Sequence, residues 1–197
     1  MMVAGDSEDF SNGWEAVADE FIAVRNQHYG SHAIANWAEF LQPGQEVLDI
    51  GCGFGGSYTH GLIDQGIQIY GIDASQSLLA EHRKRYPEAL VRCEAVQRSL
   101  LFEKEFSGII AVGLVFLLDR DTQVSLLRRV ALALKKGGRL LFSAPWQVCE
   151  WDDLLTNRKS QSLGREAYCS ILEKQGLILH EEFSDEGENH FFDFHKE

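Results

Sequence analysis

The chain lacks the material for a membrane span, a disulfide framework or a polyanion-binding face. No apolar run in its 197 residues approaches the ~20 residues that cross a bilayer. Its four cysteines, Cys52, Cys93, Cys149 and Cys169, form no CxxC pair, so neither a zinc site nor a disulfide scaffold is indicated, and reduced, partly buried thiols are expected. His28 and His32 stand four residues apart, but no third His or carboxylate follows at a suitable spacing, which argues against a metal centre. Lys and Arg number 18 against 30 Asp and Glu, a formal net charge of −12. That balance argues against a nucleic acid as partner, because such affinity rests on clustered cations. The basic run His82-Arg83-Lys84-Arg85 is short and reads as a solvated helix face. The start, Met1 to Phe10, is acidic and has no basic n-region or apolar h-region, so a signal peptide is not expected there. A flexible N-terminus over residues 1–13 and a cytoplasmic location are expected.

What the chain has is enough apolar material for one core: 45% of its residues are hydrophobic, ordinary for a single globular domain, here residues 14–197. Helical spacing of Trp14, Val17, Ala18, Phe21 and Ile22, then of Ile34, Trp37, Ala38 and Leu41, predicts two N-terminal helices within residues 14–42, the second stopped by Pro43-Gly44. From there strands and helices alternate. Strands are expected at Val47–Ile50, Ile67–Ile72, Ala89–Glu94, Phe106–Val112 and Arg139–Ser143. Helices are expected at Ser57–Gln65, Ser75–Tyr86 (Ser75 as N-cap) and Val124–Leu134, the last ended by Gly137-Gly138. Such alternation implies right-handed crossovers and a parallel sheet. Ala144–Gly164 reads as a long, functional loop, Arg165–Gln175 as a helix, and Leu177–Phe183 and Asn189–His195 as strands. The connection Ser184 to Glu188 is too short for a helical crossover, so the last two strands must form an antiparallel hairpin.

The chemistry concentrates in Glu46-Val47-Leu48-Asp49-Ile50-Gly51-Cys52-Gly53-Phe54-Gly55-Gly56-Ser57. A strand stops in a glycine-rich turn and a helix starts, which suits a backbone that passes close under a cofactor. Gly51, Gly53 and Gly56 fit the dinucleotide pattern G-x-G-x-x-G. Gly51, Gly53 and Gly55 fit G-x-G-x-G behind an acid. A buried carboxylate at Asp49 is a poor neighbour for a pyrophosphate and a good one for a sulfonium and an ammonium.

The segment resembles motif I of the class I S-adenosylmethionine (SAM) dependent methyltransferases, and the C-terminal hairpin resembles the end of their fold. Many small-molecule enzymes of this family, of the ubiquinone- and menaquinone-biosynthesis type, carry a similar N-terminal helix. The resemblance covers roughly residues 14–197. It implies a Rossmann-like α/β fold: a seven-stranded, mostly parallel sheet with helices on both faces and the antiparallel hairpin at its end. It also implies SAM as cofactor and a small-molecule methyl acceptor.

Carried onto this sequence, the resemblance makes Asp49, Gly51, Gly53 and Gly55 the floor for the methionine end of SAM. Asp73, followed by Ala74, becomes the ribose acid, and Glu94-Ala95 reads the adenine where the family shows Asp-Ala. Gly113 lies beside the methionine part, with Leu114 and Phe116 near the transferred methyl. Arg25, on the apolar side of the first helix, pairs with the methionine carboxylate. Trp146, Tyr168 and His190 are candidates for the acceptor pocket, and His190 or His28 for a base if the acceptor must lose a proton. Two readings stay open beside methyl transfer: a SAM-binding sensor without turnover, and an NAD-dependent oxidoreductase, which would also want an acid at Asp73.

Overall fold

The structure, a computed structural model, describes residues 9–24 and 30–197. Arg25 and His28 therefore lie outside the described residues. Nine strands and six helices are described: α1 (Ala18–Val24), α2 (Ser31–Trp37), β1 (Glu46–Ile50), α3 (Ser57–Asp64), β2 (Gln68–Asp73), α4 (Gln76–Arg85), β3 (Leu90–Cys93), β4 (Phe106–Ala111), α5 (Arg120–Ala133), β5 (Leu134–Ser143), β6 (Val148–Asp152), β7 (Lys159–Leu163), α6 (Arg165–Glu173), β8 (Leu177–Ser184) and β9 (His190–Lys196). Seven strands make one sheet in the order β3-β2-β1-β4-β5-β9-β8. β1 to β5 run parallel, and β9 pairs antiparallel with both β5 and β8. The order reverses between β1 and β4, and the carboxyl ends at such a switch point open a crevice.

Alternation along the central strands feeds two cores, one on each face. Leu48, Ile109, Leu140 and Phe142 meet α5 and α6 on one face, while Val47, Ile110, Leu141 and Phe191 meet α2 and α3 on the other. The expected helical face of Ile34, Trp37, Ala38 and Leu41 is buried. Trp37 also donates its indole N–H to the buried Asp193 at 3.2 Å, whose charge is matched by a bidentate Arg139.

Three expectations are corrected. Ala144–Gly164 is not a loop: β6 and β7 pair antiparallel into a separate two-stranded arm. A tight turn closes it, with Asp153 N–H donating to Arg158 O at 2.9 Å, and Trp151 packs on Phe116 at 5.3 Å between ring centres. The fourth crossover helix begins earlier than the apolar spacing implied, because Asp119 caps it by accepting the Thr122 N–H at 2.9 Å. It ends before Leu134, which already pairs with Phe106, so Gly137-Gly138 lie within β5. The flexible stretch expected over residues 1–13 does not include Asp9–Gly13. These residues form a turn tied by Asp9 Oδ2 to the Gly13 N–H at 2.8 Å and by Asn12 Nδ2, which donates to Leu117 O at 2.9 Å. Among the described residues no helix is long and apolar enough to cross a membrane.

Candidate active site

The loops after β1, β2, β3 and β4 converge at the carboxyl edge of the sheet around a cavity of ≈ 260 Å³. Its floor is the glycine turn. Gly51 takes φ +72° and Gly55 φ +78°, values that L side chains avoid. A Cβ on Gly55 would stand 2.4 Å from the Tyr86 ring. Tyr86 fixes the turn from α4 by donating its hydroxyl to Gly56 O at 2.7 Å. Gly51 N–H and Cys52 N–H both reach Ile72 O across to β2, at 2.8 and 3.2 Å.

Asp73, at the end of β2, ties the wall to this floor. Its Oδ2 accepts the Gly53 N–H and its Oδ1 the Ser75 N–H, both at 2.8 Å. Burial pushes its carboxyl above the usual carboxylate range, against the pull of those two amides. Each oxygen still has a lone pair for a vicinal diol. Glu94 follows β3. It is held at Oε2 by the Ser99 hydroxyl at 2.7 Å, and its own N–H donates to Asp73 O at 2.9 Å.

The N-terminal segment folds over this edge. Glu15 accepts from Ser77 N–H and Ser77 Oγ, at 3.1 and 2.7 Å, on the first turn of α4. Phe10 lies over the Arg98 guanidinium at 4.1 Å. Trp14 meets Phe21 edge-on at 4.8 Å, and Phe21 meets Phe54 of the glycine turn at 5.4 Å. The cavity is thus lined by backbone amides and carboxylates together with apolar side chains that include Trp14, Phe21, Leu114, Phe116 and Leu118.

Of the residues singled out in the sequence, Gly51, Gly53, Gly55, Asp73, Ala74, Glu94 and Gly113 line the cavity, as do Leu114 and Phe116. Ala95 lines a shallower recess beside it, with Glu15, Ala74 and Cys93. Gly113 sits at φ +72° and donates its N–H to Ser143 Oγ at 2.8 Å.

Asp49 is not in the cavity wall. It is buried beneath the floor, where Tyr58, a wall residue, donates its hydroxyl to Oδ2 at 2.9 Å. Burial, with the nearby Asp73 charge adding to it, raises the Asp49 carboxyl to about 7.

The three acceptor-pocket candidates lie elsewhere. Tyr168 is a core residue whose hydroxyl donates to Gln123 Oε1 and accepts from Leu163 N–H, at 2.9 and 3.1 Å. Trp146 projects from the arm, 54% exposed. His190 packs edge-on against Phe192 at 4.8 Å, and burial lowers its pKa.

Wall residues missed in the sequence include Phe10, Tyr58, Leu78, Val96, Leu117, Leu118 and Asp153. Phe10 was assigned to a tail, and Asp153 to a loop whose strands were not recognised. The signal for Tyr58 was its place one residue inside the helix that leaves the glycine turn.

Comparison with known proteins fits this geometry. Residues 47–138, from β1 into β5, match a family described as a methyltransferase domain. Over 107 residues the chain is 35% identical to the O-methyltransferase resE of Aspergillus sclerotiorum, which covers 49% of this chain and 38% of that protein, so the chain spans well under half of this curated relative. Among solved structures it resembles a TehB-like SAM-dependent methyltransferase of Corynebacterium glutamicum, 21% identical over 95% of this chain and 98% of the other, with a TM-score of 0.68. It also resembles the 1,6-didemethyltoxoflavin-N1-methyltransferase of Burkholderia thailandensis, 16% identical over 93% and 84%, with a TM-score of 0.71. At these identities the structural likeness speaks for the fold.

Proposed function

We propose that this chain is a class I SAM-dependent methyltransferase that transfers a methyl group from SAM to a small-molecule acceptor. The observation that carries the reading is that one cavity holds both an acid tied to the glycine turn and an apolar wall. Asp73, tied to the Gly53 amide at the floor, faces the same space as Leu114 and Phe116 from the loop after β4. β2 and β4 flank β1 in the sheet order, so a nucleoside held at the acid on the β2 side would point its sulfur end toward Leu114 and Phe116 on the β4 side. When bound, SAM supplies an electrophilic methyl on a sulfonium.

The protein's own work is alignment and exclusion of water. The glycine turn presents backbone, Asp73 and Glu94 orient the nucleoside, and Trp14 and Phe21 close the apolar side. The acceptor's lone pair would form the new bond to the methyl carbon as the carbon–sulfur bond breaks and its electron pair stays on sulfur, so that S-adenosylhomocysteine leaves, and the acceptor's proton would pass to solvent or a nearby base. The relatives support a small acceptor: one is named an O-methyltransferase, and another was crystallised with 1,6-didemethyltoxoflavin and S-adenosylhomocysteine bound.

Calorimetric titration with S-adenosylhomocysteine and, separately, with NAD tests the reading. Micromolar binding of the first and none of the second is expected. Tight NAD binding without S-adenosylhomocysteine binding would sink it. Asp73→Ala should weaken S-adenosylhomocysteine binding by about thirtyfold or more, the loss of roughly 2 kcal/mol or more of charge-assisted hydrogen bonds. An unchanged affinity would remove Asp73 from the site.

A further inference from the structure

We infer that the acceptor is an uncharged or cationic aromatic molecule whose O–H or N–H donates a hydrogen bond to Asp153; this rests on the methyl-transfer reading above. Asp153 lies at the cavity wall on the turn of the β6–β7 arm. Its two oxygens are used unequally. Oδ1 accepts from Leu155 N–H, Thr156 N–H and Thr156 Oγ1, at 3.0, 2.8 and 2.9 Å. That fixes the carboxylate on its turn. Oδ2 has no donor among the described residues, so it is a preset acceptor waiting for a partner.

The turn itself is braced on two sides. Thr156 Cβ sits 3.2 Å from where a Cβ on Gly13 would stand, so the N-terminal segment abuts it. Trp151 holds the arm against Phe116. A carboxylate oriented this firmly costs little further ordering when a ligand binds.

Its surroundings select the ligand. The cavity that Asp153 lines also holds Trp14, Phe116, Leu117 and Leu118, with Phe116 packed on Trp151 of the same arm, surfaces that suit the face and edge of an aromatic ring. Carboxylates also stand at Asp73 and Glu94, and no Lys, Arg or His lines the cavity among the described residues. An anionic acceptor would enter a partly desolvated space against like charge. A ring bearing one donor, in contrast, meets both the apolar wall and the open oxygen.

Three naphthalenes separate these requirements when titrated into protein saturated with S-adenosylhomocysteine at pH 7. 2-Naphthol has the ring and the donor, 2-methoxynaphthalene lacks the donor, and 3-hydroxy-2-naphthoate adds an anion. 2-Naphthol should bind about tenfold more tightly than 2-methoxynaphthalene, the worth of about one hydrogen bond to a charged group, and about tenfold more tightly than the naphthoate, whose charge meets the carboxylates of the wall.

Asp153→Asn keeps an oxygen for the turn and puts an amide donor where Oδ2 was. It should bring the naphthol and methoxynaphthalene affinities within about twofold of each other. Asp152→Asn, next to it on the exposed end of β6, should leave the tenfold ratio intact. Binding of the naphthoate as tight as naphthol, a naphthol preference that survives Asp153→Asn, or no naphthol binding to the S-adenosylhomocysteine complex would each overturn the inference. Failure to bind S-adenosylhomocysteine would instead overturn the methyl-transfer reading.

Discussion

Asp49→Asn should change how the stability of the protein depends on pH, and the change can be worked out in sign and size. Asp49 is 1% exposed on β1, with the Tyr58 hydroxyl on one oxygen. Burial holds its carboxyl at about 7 instead of 3.8. Between those two values the folded protein keeps a proton that the unfolded chain has lost. Stability therefore falls as pH rises through this window, by about 1.4 kcal/mol per pH unit and about 4 kcal/mol in all.

His82 works in the opposite direction. It is fully buried on α4, neither ring nitrogen has a partner among the described residues, and burial lowers its pKa from 6.5 to about 4. Below 6.5 the unfolded chain binds a proton that the folded one refuses, so stability falls as pH drops toward 4. Over their shared window the two slopes oppose and nearly cancel.

Asn at position 49 still accepts the Tyr58 hydroxyl but cannot titrate. The variant's stability relative to the wild type should grow by about 1.4 kcal/mol for each pH unit from about 4 to 7 and level off above 7. Urea unfolding of both proteins at half-unit steps from pH 4.5 to 8 measures it. A difference that stays flat with pH, or shrinks as pH rises, would refute a buried, protonated Asp49.

Three other perturbations follow from contacts in the same region and in the sheet. Arg139→Met leaves the carboxylate of Asp193, itself 1% exposed, with only the Trp37 indole among the described residues. It should cost about 3–5 kcal/mol in urea unfolding, most of it recovered by adding Asp193→Asn. Gly55→Ala forces a Cβ to 2.4 Å from Tyr86 at φ +78°. S-adenosylhomocysteine affinity should fall more than tenfold by calorimetry while far-UV circular dichroism is kept. His82→Leu removes two unpartnered buried nitrogens and should raise stability by about 1–3 kcal/mol at pH 7, read as an increase in Tm.

The parallel sheet was legible because each βα unit repeats one physical pattern, a short apolar run and then an amphipathic helix. The C-terminal hairpin was legible for a stricter reason. Five residues from Ser184 to Glu188 cannot carry a crossover, and Asp185 closes their turn by accepting the Gly187 and Asn189 N–H groups, both at 2.9 Å. The β6–β7 arm escaped because only one of its faces packs. Cys149 and Trp151 are half-buried, while Val148, Glu150 and Asp152 point to solvent, so the apolar alternation is two residues deep and reads as a loop.

The site divides along the same line between local and long-range determinants. Gly51, Gly53, Gly55 and Asp73 were legible because a strand end, a positive φ and a capped carboxylate are local demands that residue type reveals. The acceptor half depends on what the fold brings from far away. Asn12 reaches the carbonyl of Leu117 across 105 positions, and Gly13 abuts Thr156. Neither residue announces such a partner. Asp49 shows the two kinds of information colliding. Its place before the first glycine marked a cofactor contact, yet its side chain follows the alternation of β1 and turns, like Val47, toward the buried face beneath the floor. There it reaches the cavity through Tyr58, which stands in the wall and donates to it. A positive charge bound above Tyr58 would favour the ionised form of Asp49 and release its proton. Calorimetry of SAM, a sulfonium, and of uncharged-sulfur S-adenosylhomocysteine in buffers of different ionisation enthalpy at pH 6 should therefore show more proton release for SAM. Equal release for the two would place Asp49 out of electrical reach of the sulfur.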